Sequence, residues 1–176
     1  GRMRKWLSVF VLFTALPAPQ AVAQVLWNGA AYGMSPAQVQ ARLPQSQVPD
    51  SPDELAGGES EGLRMDDVEL AGHRFQASFF FAGDALAQVT LSQLAAREGA
   101  VDRQVFEDVA HALEAAHGAP LATDWRHEPF ERRSQEWQVD GARIQLVLIQ
   151  AGTGSFVNVV HQVRPPDAPP PVRLQP

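Results

Sequence analysis

His73-Arg74-Phe75-Gln76-Ala77-Ser78-Phe79-Phe80-Phe81, Ala82-Gly83-Asp84 and Ala85-Leu86-Ala87-Gln88-Val89-Thr90-Leu91 read as a strand, a tight turn and a second strand. The aromatic run suits a buried strand. In the second strand Ala87, Val89 and Leu91 alternate with Gln88 and Thr90, a period of two that separates an apolar from a polar face. Upstream, Leu63-Arg64-Met65 through Val68-Glu69-Leu70 forms a third strand, joined by the turn Ala71-Gly72. Three strands with short turns make an antiparallel meander.

The same pattern returns later in the chain. Gln135 to Val139 leads into Asp140-Gly141, a favoured hairpin turn. Arg143 to Gln150 sets Ile144, Leu146 and Leu148 against Arg143, Gln145 and Val147, and Gly152-Thr153-Gly154 turns into Phe156 to Val163. A helix precedes each meander. The first opens at Ser35-Pro36-Ala37-Gln38, a cap, a proline at the first helical position and a capping-box glutamine, and stops at Pro44. The second runs from about Arg103 to His117, with Val105, Phe106, Val109, Leu113 and Ala116 at helical spacing and Gly118 and Pro120 as the stop. Gln45 to Glu61 and the connection through Trp125 and Pro129 read as loops. The expected fold is α+β: two helix-plus-three-strand repeats forming one antiparallel sheet, both helices on one face.

The first 23 residues have a different character. Arg2, Arg4 and Lys5 precede an apolar run from Trp6 to Leu16, and Ala21-Val22-Ala23 forms a small-residue exit. This is the pattern of a secretory signal peptide, and the run is shorter than the roughly 20 apolar residues that span a bilayer. The expected organisation is a signal peptide over 1–23, a single domain over 24–164 and a proline-rich tail over 165–176. The expected location is the periplasm or the medium, after cleavage near Ala23. The leader carries three of the 14 Lys and Arg and none of the 20 Asp and Glu, so the mature chain stands at −9. Such a surface argues against nucleic-acid binding and against adhesion to anionic lipid. No later segment is long and apolar enough for a membrane helix. The absence of cysteine removes disulfides, thiol catalysis and Cys-ligated zinc.

The order of elements, with Gly33-Met34-Ser35-Pro36, the hairpin Phe79-Phe80-Phe81-Ala82-Gly83-Asp84-Ala85-Leu86 and the ending His117-Gly118-Ala119-Pro120, resembles small exported bacterial proteins of repeated helix-plus-sheet build. Beta-lactamase inhibitor proteins are the nearest named comparison, and small outer-membrane assembly lipoproteins share the helix-start pattern. The resemblance implies an exported binding role and carries over no contact residue. The chain departs from the first in lacking disulfides and from the second in lacking a lipid-bearing cysteine.

Candidate chemistry is sparse. His73, His111, His117, His127 and His161 show no ligand spacing, since His111 and His117 are separated by roughly 600° of helix rotation. No metal and no cofactor is expected. The acids from Asp50 to Glu69 lack calcium-loop spacing and read as a solvated loop and strand edge, or as a patch for a basic partner. No nucleophile elbow or paired-carboxylate spacing points to an enzyme. The segment Trp125-Arg126-His127-Glu128-Pro129-Phe130-Glu131-Arg132-Arg133 concentrates Trp, Phe and three Arg in a surface connection, residue types that dominate interface energetics. Trp125, Arg126, Phe130, Arg132 and Arg133 are therefore the expected partner-binding residues, together with Phe80, which faces away from Phe79 and Phe81. The alternative is that Trp125 and Phe130 plug the end of the core, the arginines pair nearby acids, and a loop covers Phe80. The expected function is a non-enzymatic exported protein that binds another envelope or secreted protein, an inhibitor being the version that the resemblance implies. The rival readings are a small-ligand or lipid carrier with a pocket between sheet and helices, and a hydrolase assembled from distant residues.

Overall fold

The computed structural model describes residues 24–94, 99–152 and 154–163. The leader, the proline-rich tail and Thr153 lie outside them. The chain begins with a small hairpin, β1 (Val25–Trp27) and β2 (Ala30–Ala31), then a short helix, α1 (Pro36–Arg42). The first meander follows as β3 (Ser60–Leu70), β4 (His73–Ala82) and β5 (Ala85–Gln93). A long helix, α2 (Gly99–His117), leads to β6 (Ala122–Arg126), β7 (Glu131–Val139), β8 (Ala142–Ala151) and β9 (Gly154–Val163).

Strands β3 to β9 form one seven-stranded antiparallel sheet in the order β3-β4-β5-β9-β8-β7-β6. The expectation of two helix-plus-three-strand repeats is thereby corrected. The chain is mostly sheet, its second meander has four strands, and a separate two-stranded sheet precedes the first. The extra strand is Ala122 to Arg126, which pairs with β7 from Ala122 opposite Glu136 to Arg126 opposite Arg132. The segment around Trp125 is therefore the arms of a hairpin, with residues 127–130 as its turn.

Local chemistry explains the joints. In α1 the Ser35 hydroxyl accepts from the Gln38 amide N–H at 3.2 Å, and the Gln38 side chain accepts from the Ser35 amide at 2.9 Å. Both donors would otherwise be orphaned at the helix start. Asn28-Gly29 and Asp140-Gly141 take left-handed φ angles of 48° and 85° and of 49° and 83°, the conformation a two-residue hairpin turn demands.

One face of the sheet carries the core. Leu63, Phe79, Val89, His161, Ile144 and Trp137 face one another in a single row across β3, β4, β5, β9, β8 and β7, and every one is buried. His161 is the one polar member of that row. Over it α2 lays Val105, Phe106, Val109 and Leu113, while α1 contributes Val39 and Leu43 and the β1–β2 hairpin adds Leu26 and Ala30. The hairpin is tied to β5 through hydrogen bonds from Gly33 N–H to the Leu86 carbonyl and from Leu86 N–H to the Met34 carbonyl. The opposite face is polar: one of its rows reads Arg64, Ser78, Thr90, Val160, Gln145 and Glu136.

The two edges of the sheet differ. Along β3 the segment after α1 doubles back, with bridges between Gln47 and Arg64 and between Glu54 and Ser60. At the other end β6 has no further strand beside it among the described residues.

Candidate functional site

Two places gather chemistry: the β6–β7 hairpin and a cavity beneath the β1–β2 hairpin. In the first, Trp125 is 53 % exposed and Phe130 is 42 % exposed, so neither plugs the core. Arg133, opposite Trp125 in the register, holds its guanidinium 3.9 Å from the centre of the Trp125 ring, and the His127 ring lies 4.8 Å away. A cation over an exposed indole contributes about 0.5–1 kcal/mol, so the indole is held in one orientation while still facing solvent.

Arg133 is anchored from below. It donates to Glu131 at 3.1 Å and lies 3.4 Å from Glu107 of α2, while Arg103 of α2 reaches Glu131 at 3.2 Å. Burial alone would raise the Glu131 pKa, yet hydrogen bonds and charge from Arg103 and Arg133 hold it below the usual carboxylate value. Arg126 pairs with Asp124 at 2.8 Å. Arg132 has no acidic partner among the described residues and lies on the polar face, in one row with Arg126, Ile149 and Phe156. Phe156 is 40 % exposed, which adds a third aromatic to this end of the sheet.

The structure puts Trp125, Arg126, Phe130, Arg132 and Arg133 on one hairpin but on two faces, Trp125 and Arg133 in the row of Leu148 and Val157 and Arg126 and Arg132 on the polar side, and it leaves Phe80 apart. Phe80 sits on β4, beyond β8, β9 and β5, and is only 4 % exposed. It lines a small cavity with Asp53 of the segment that doubles back along β3. Asp53 is held there by Glu61, the residue opposite Phe80: its carbonyl accepts from the Glu61 amide and its amide donates to the Glu61 carboxylate.

The second place is a cavity of about 700 Å³ between the β1–β2 hairpin, the end of α2 and the β7–β8 turn. Leu26, Ala142, Ile144 and His161 form its buried floor, Trp27 and Val139 are half-buried, and Asn28, His117 and Asp140 are exposed at its mouth. Neither ring nitrogen of His161 has a hydrogen-bond partner among the described residues. Burial lowers the His161 pKa to about 4; the nearby Leu26 backbone opposes this and the His117 charge adds to it. The sequence marks none of the cavity apart from the two histidines. The one available signal is Asn28-Gly29, a hairpin turn that places Leu26 and Trp27 over the sheet.

The neutral ring has a consequence for stability. Unfolded, it titrates near 6.5, so between pH 6.5 and about 4 the unfolded chain binds the extra proton. Stability therefore falls as the pH is lowered through that window. The expected loss reaches about 3 kcal/mol by pH 4 and disappears in His161→Leu. Urea denaturation of both proteins from pH 7 to pH 4 checks this. A stability difference between them that stays constant with pH would contradict it.

Two further clusters of titratable groups are structural pairs, and buried Asp102 of α2 accepts from Gln93 through one oxygen while the other has no partner among the described residues. His73 Nε2 lies 2.8 Å from Asp108, and that hydrogen bond, helped by Gln104, lowers the Asp108 pKa. Glu61 is clamped by Arg64 at 2.6 and 2.7 Å. Among the described residues no three of His, Asp or Glu converge as a metal site, and no helix is long and apolar enough to cross a membrane. No family model, curated protein or solved structure matches the chain.

Proposed function

We propose that the protein is an exported, non-enzymatic binding protein that holds another envelope or secreted protein at its β6–β7 hairpin. The observation that carries this reading is Trp125: half-exposed, on the outermost strand, and fixed between Arg133 and His127. Exposed aromatics ordered before contact lose little freedom on binding, which is why Trp and Arg recur as interface anchors. Phe130 in the turn is exposed beside Trp125, and Arg132 and Phe156 present a further arginine and aromatic on the opposite face of the same sheet end. The leader pattern in residues 1–23 supports export. A binding role is further supported by the carboxylates and histidine elsewhere that are committed to the pairs Glu61–Arg64 and His73–Asp108.

The occupant we assign is an extended segment of the partner, added as a strand outside β6. The contrast between the edges supports it: the segment after α1 runs along β3 with bridges at Gln47 and Glu54, and among the described residues no strand pairs with the outer side of β6. A bare edge offers backbone donors and acceptors to an incoming strand. Asp124 and Arg126 on this five-residue strand restrict pairing to partners that can accommodate their charges.

A photo-crosslinking residue at Arg126, in cells exporting the protein, tests this. A discrete crosslinked partner is expected, and Trp125→Ala should reduce its yield more than tenfold, in line with hot-spot truncations of about 2 kcal/mol or more. The same substitution should change folding stability by less than about 1 kcal/mol, as expected for an exposed side chain. Unchanged crosslinking in Trp125→Ala and in Phe130→Ala, with both proteins folded, would overturn the assignment.

A further inference from the structure

We infer that the cavity beneath the β1–β2 hairpin binds a small neutral ring compound bearing a hydroxyl group, which hydrogen-bonds the His161 imidazole and lies against Trp27. The site is separate from the β6–β7 surface and does not depend on it. Its volume of about 700 Å³ lies within the range of small-molecule sites, which are mainly apolar with a few convergent polar groups. Here the apolar part is Leu26, Val139, Ala142 and Ile144, the buried polar group is the imidazole, and Gln24, Asn28, His117 and Asp140 complete the polar lining.

His161 is what calls for a ligand. Its neighbours across the sheet are Val89 and Ile144, and it is 6 % exposed with both nitrogens unpartnered among the described residues. Buried polar groups without partners are rare in folded proteins, and each one calls for an explanation. A buried water holds its place with two to four polar contacts, and of the four side chains that form the buried floor only the imidazole supplies one.

The chemistry of the ring selects the ligand. A neutral imidazole presents one N–H donor and one acceptor nitrogen, and a hydroxyl can complement either. An anion would need the imidazolium, which burial and the neighbouring His117 disfavour, and it would meet Asp140 at the mouth. A cation would have to be desolvated against an apolar floor, which is costly without a charged partner. The half-buried indole of Trp27, packed against Phe79 with ring centres 6.0 Å apart, offers a fixed aromatic wall suited to a ring.

The probe pair 2-naphthol and naphthalene separates hydrogen bonding from apolar burial. Each is titrated into the full-length chain at pH 7, with NMR reading the His161 ring nitrogens and the methyl groups of Leu26 and Ile144. Saturable shifts at all three residues are expected for both probes, with 2-naphthol binding at least tenfold tighter. In His161→Leu the 2-naphthol affinity should fall to that of naphthalene, while naphthalene stays within about twofold; Trp27→Ala should weaken both. Should His161→Leu fail to fold, the ratio of the two probes on the unaltered chain still decides. Equal affinities there, shifts confined to other residues, or no saturation by either probe would overturn the proposal.

Discussion

Replacing Trp137 with alanine is expected to lower stability by about 3–5 kcal/mol, the usual cost of deleting a buried indole. Trp137 is 2 % exposed at the end of the core row, facing Ile144 across β7 and β8. It also fastens the helix to the sheet: its indole N–H donates to the Gly118 carbonyl at 2.9 Å, just past the end of α2. Alanine would remove the packing volume and leave that carbonyl without its donor. Single domains unfold with only about 5–15 kcal/mol in reserve, so the variant should sit close to its midpoint under mild denaturant. Trp137→Phe separates the two contributions. It keeps most of the volume and loses the hydrogen bond, at an expected cost of about 1–2 kcal/mol. Urea unfolding of the three proteins measures both steps, and a loss below about 1 kcal/mol in Trp137→Ala would mean that the indole is not a core residue.

The second large effect is expected at Arg64. Glu61 has a side chain with 0 % exposure, and Arg64 grips both of its oxygens at 2.7 and 2.6 Å. The Asp53 amide donates to the same carboxylate at 3.0 Å. Burial would raise the Glu61 pKa, but the hydrogen bonds from Arg64, Asp53 and Ser78 outweigh it and leave the pKa below 4.5. Arg64→Met strips the charge partner and leaves a buried carboxylate, for an expected loss of about 3–5 kcal/mol at pH 7. Replacing both residues, Glu61→Leu with Arg64→Met, should recover most of it, because an apolar pair of similar volume carries no desolvation cost. The pH dependence has a definite sign. In the unaltered chain the Glu61 contribution is present above pH 4.5 and is lost as the pH falls through the lowered native value. In Arg64→Met the native pKa rises, so this part of the pH dependence should weaken or reverse. If Arg64→Met matched the unaltered protein at pH 7, the clamp would contribute nothing.

The central strands were legible because most of their residues alternate, although in β5 a bulge opposite Phe80 and Phe81 puts Leu86 rather than the expected Ala87 in the core. Val89 and Leu91, and later Ile144, Leu146 and Leu148, have to face the core once Gly83 and Gly141 set the turns. The capping residues Ser35 and Gln38 were legible because a box of this kind serves little purpose except at a helix start. Strand β6 was not legible. Ala122-Thr123-Asp124-Trp125-Arg126 has no buried residue, so nothing in its periodicity distinguishes it from a loop, and that one strand defeats the expected repeat. β1 and β2, three and two residues long, are too short for any period. The Trp125 surface was visible as composition, whereas its fixing by Arg133 depends on the register of β6 and β7. The cavity was invisible for a different reason. His161 acquires its apolar neighbours Val89 and Ile144 only when three strands align, and Leu26 and Trp27 arrive from the far end of the chain.

The strand order has a consequence for how the molecule comes to exist. Strand β5 leaves its natural sequence neighbours on one side and on the other meets β9, the last strand of the described chain, with Leu91 opposite Val159. Among the described strands, the one at the middle of the sheet is thus the last in sequence. Hairpins β3–β4–β5 and β6–β7–β8 can form from local contacts, but the seam between them is long-range and closes late, since distant contacts cost more chain entropy. Until β9 arrives, β5 and β8 are both open edges. The central seam of the sheet is thus the contact that the local hairpins cannot supply by themselves.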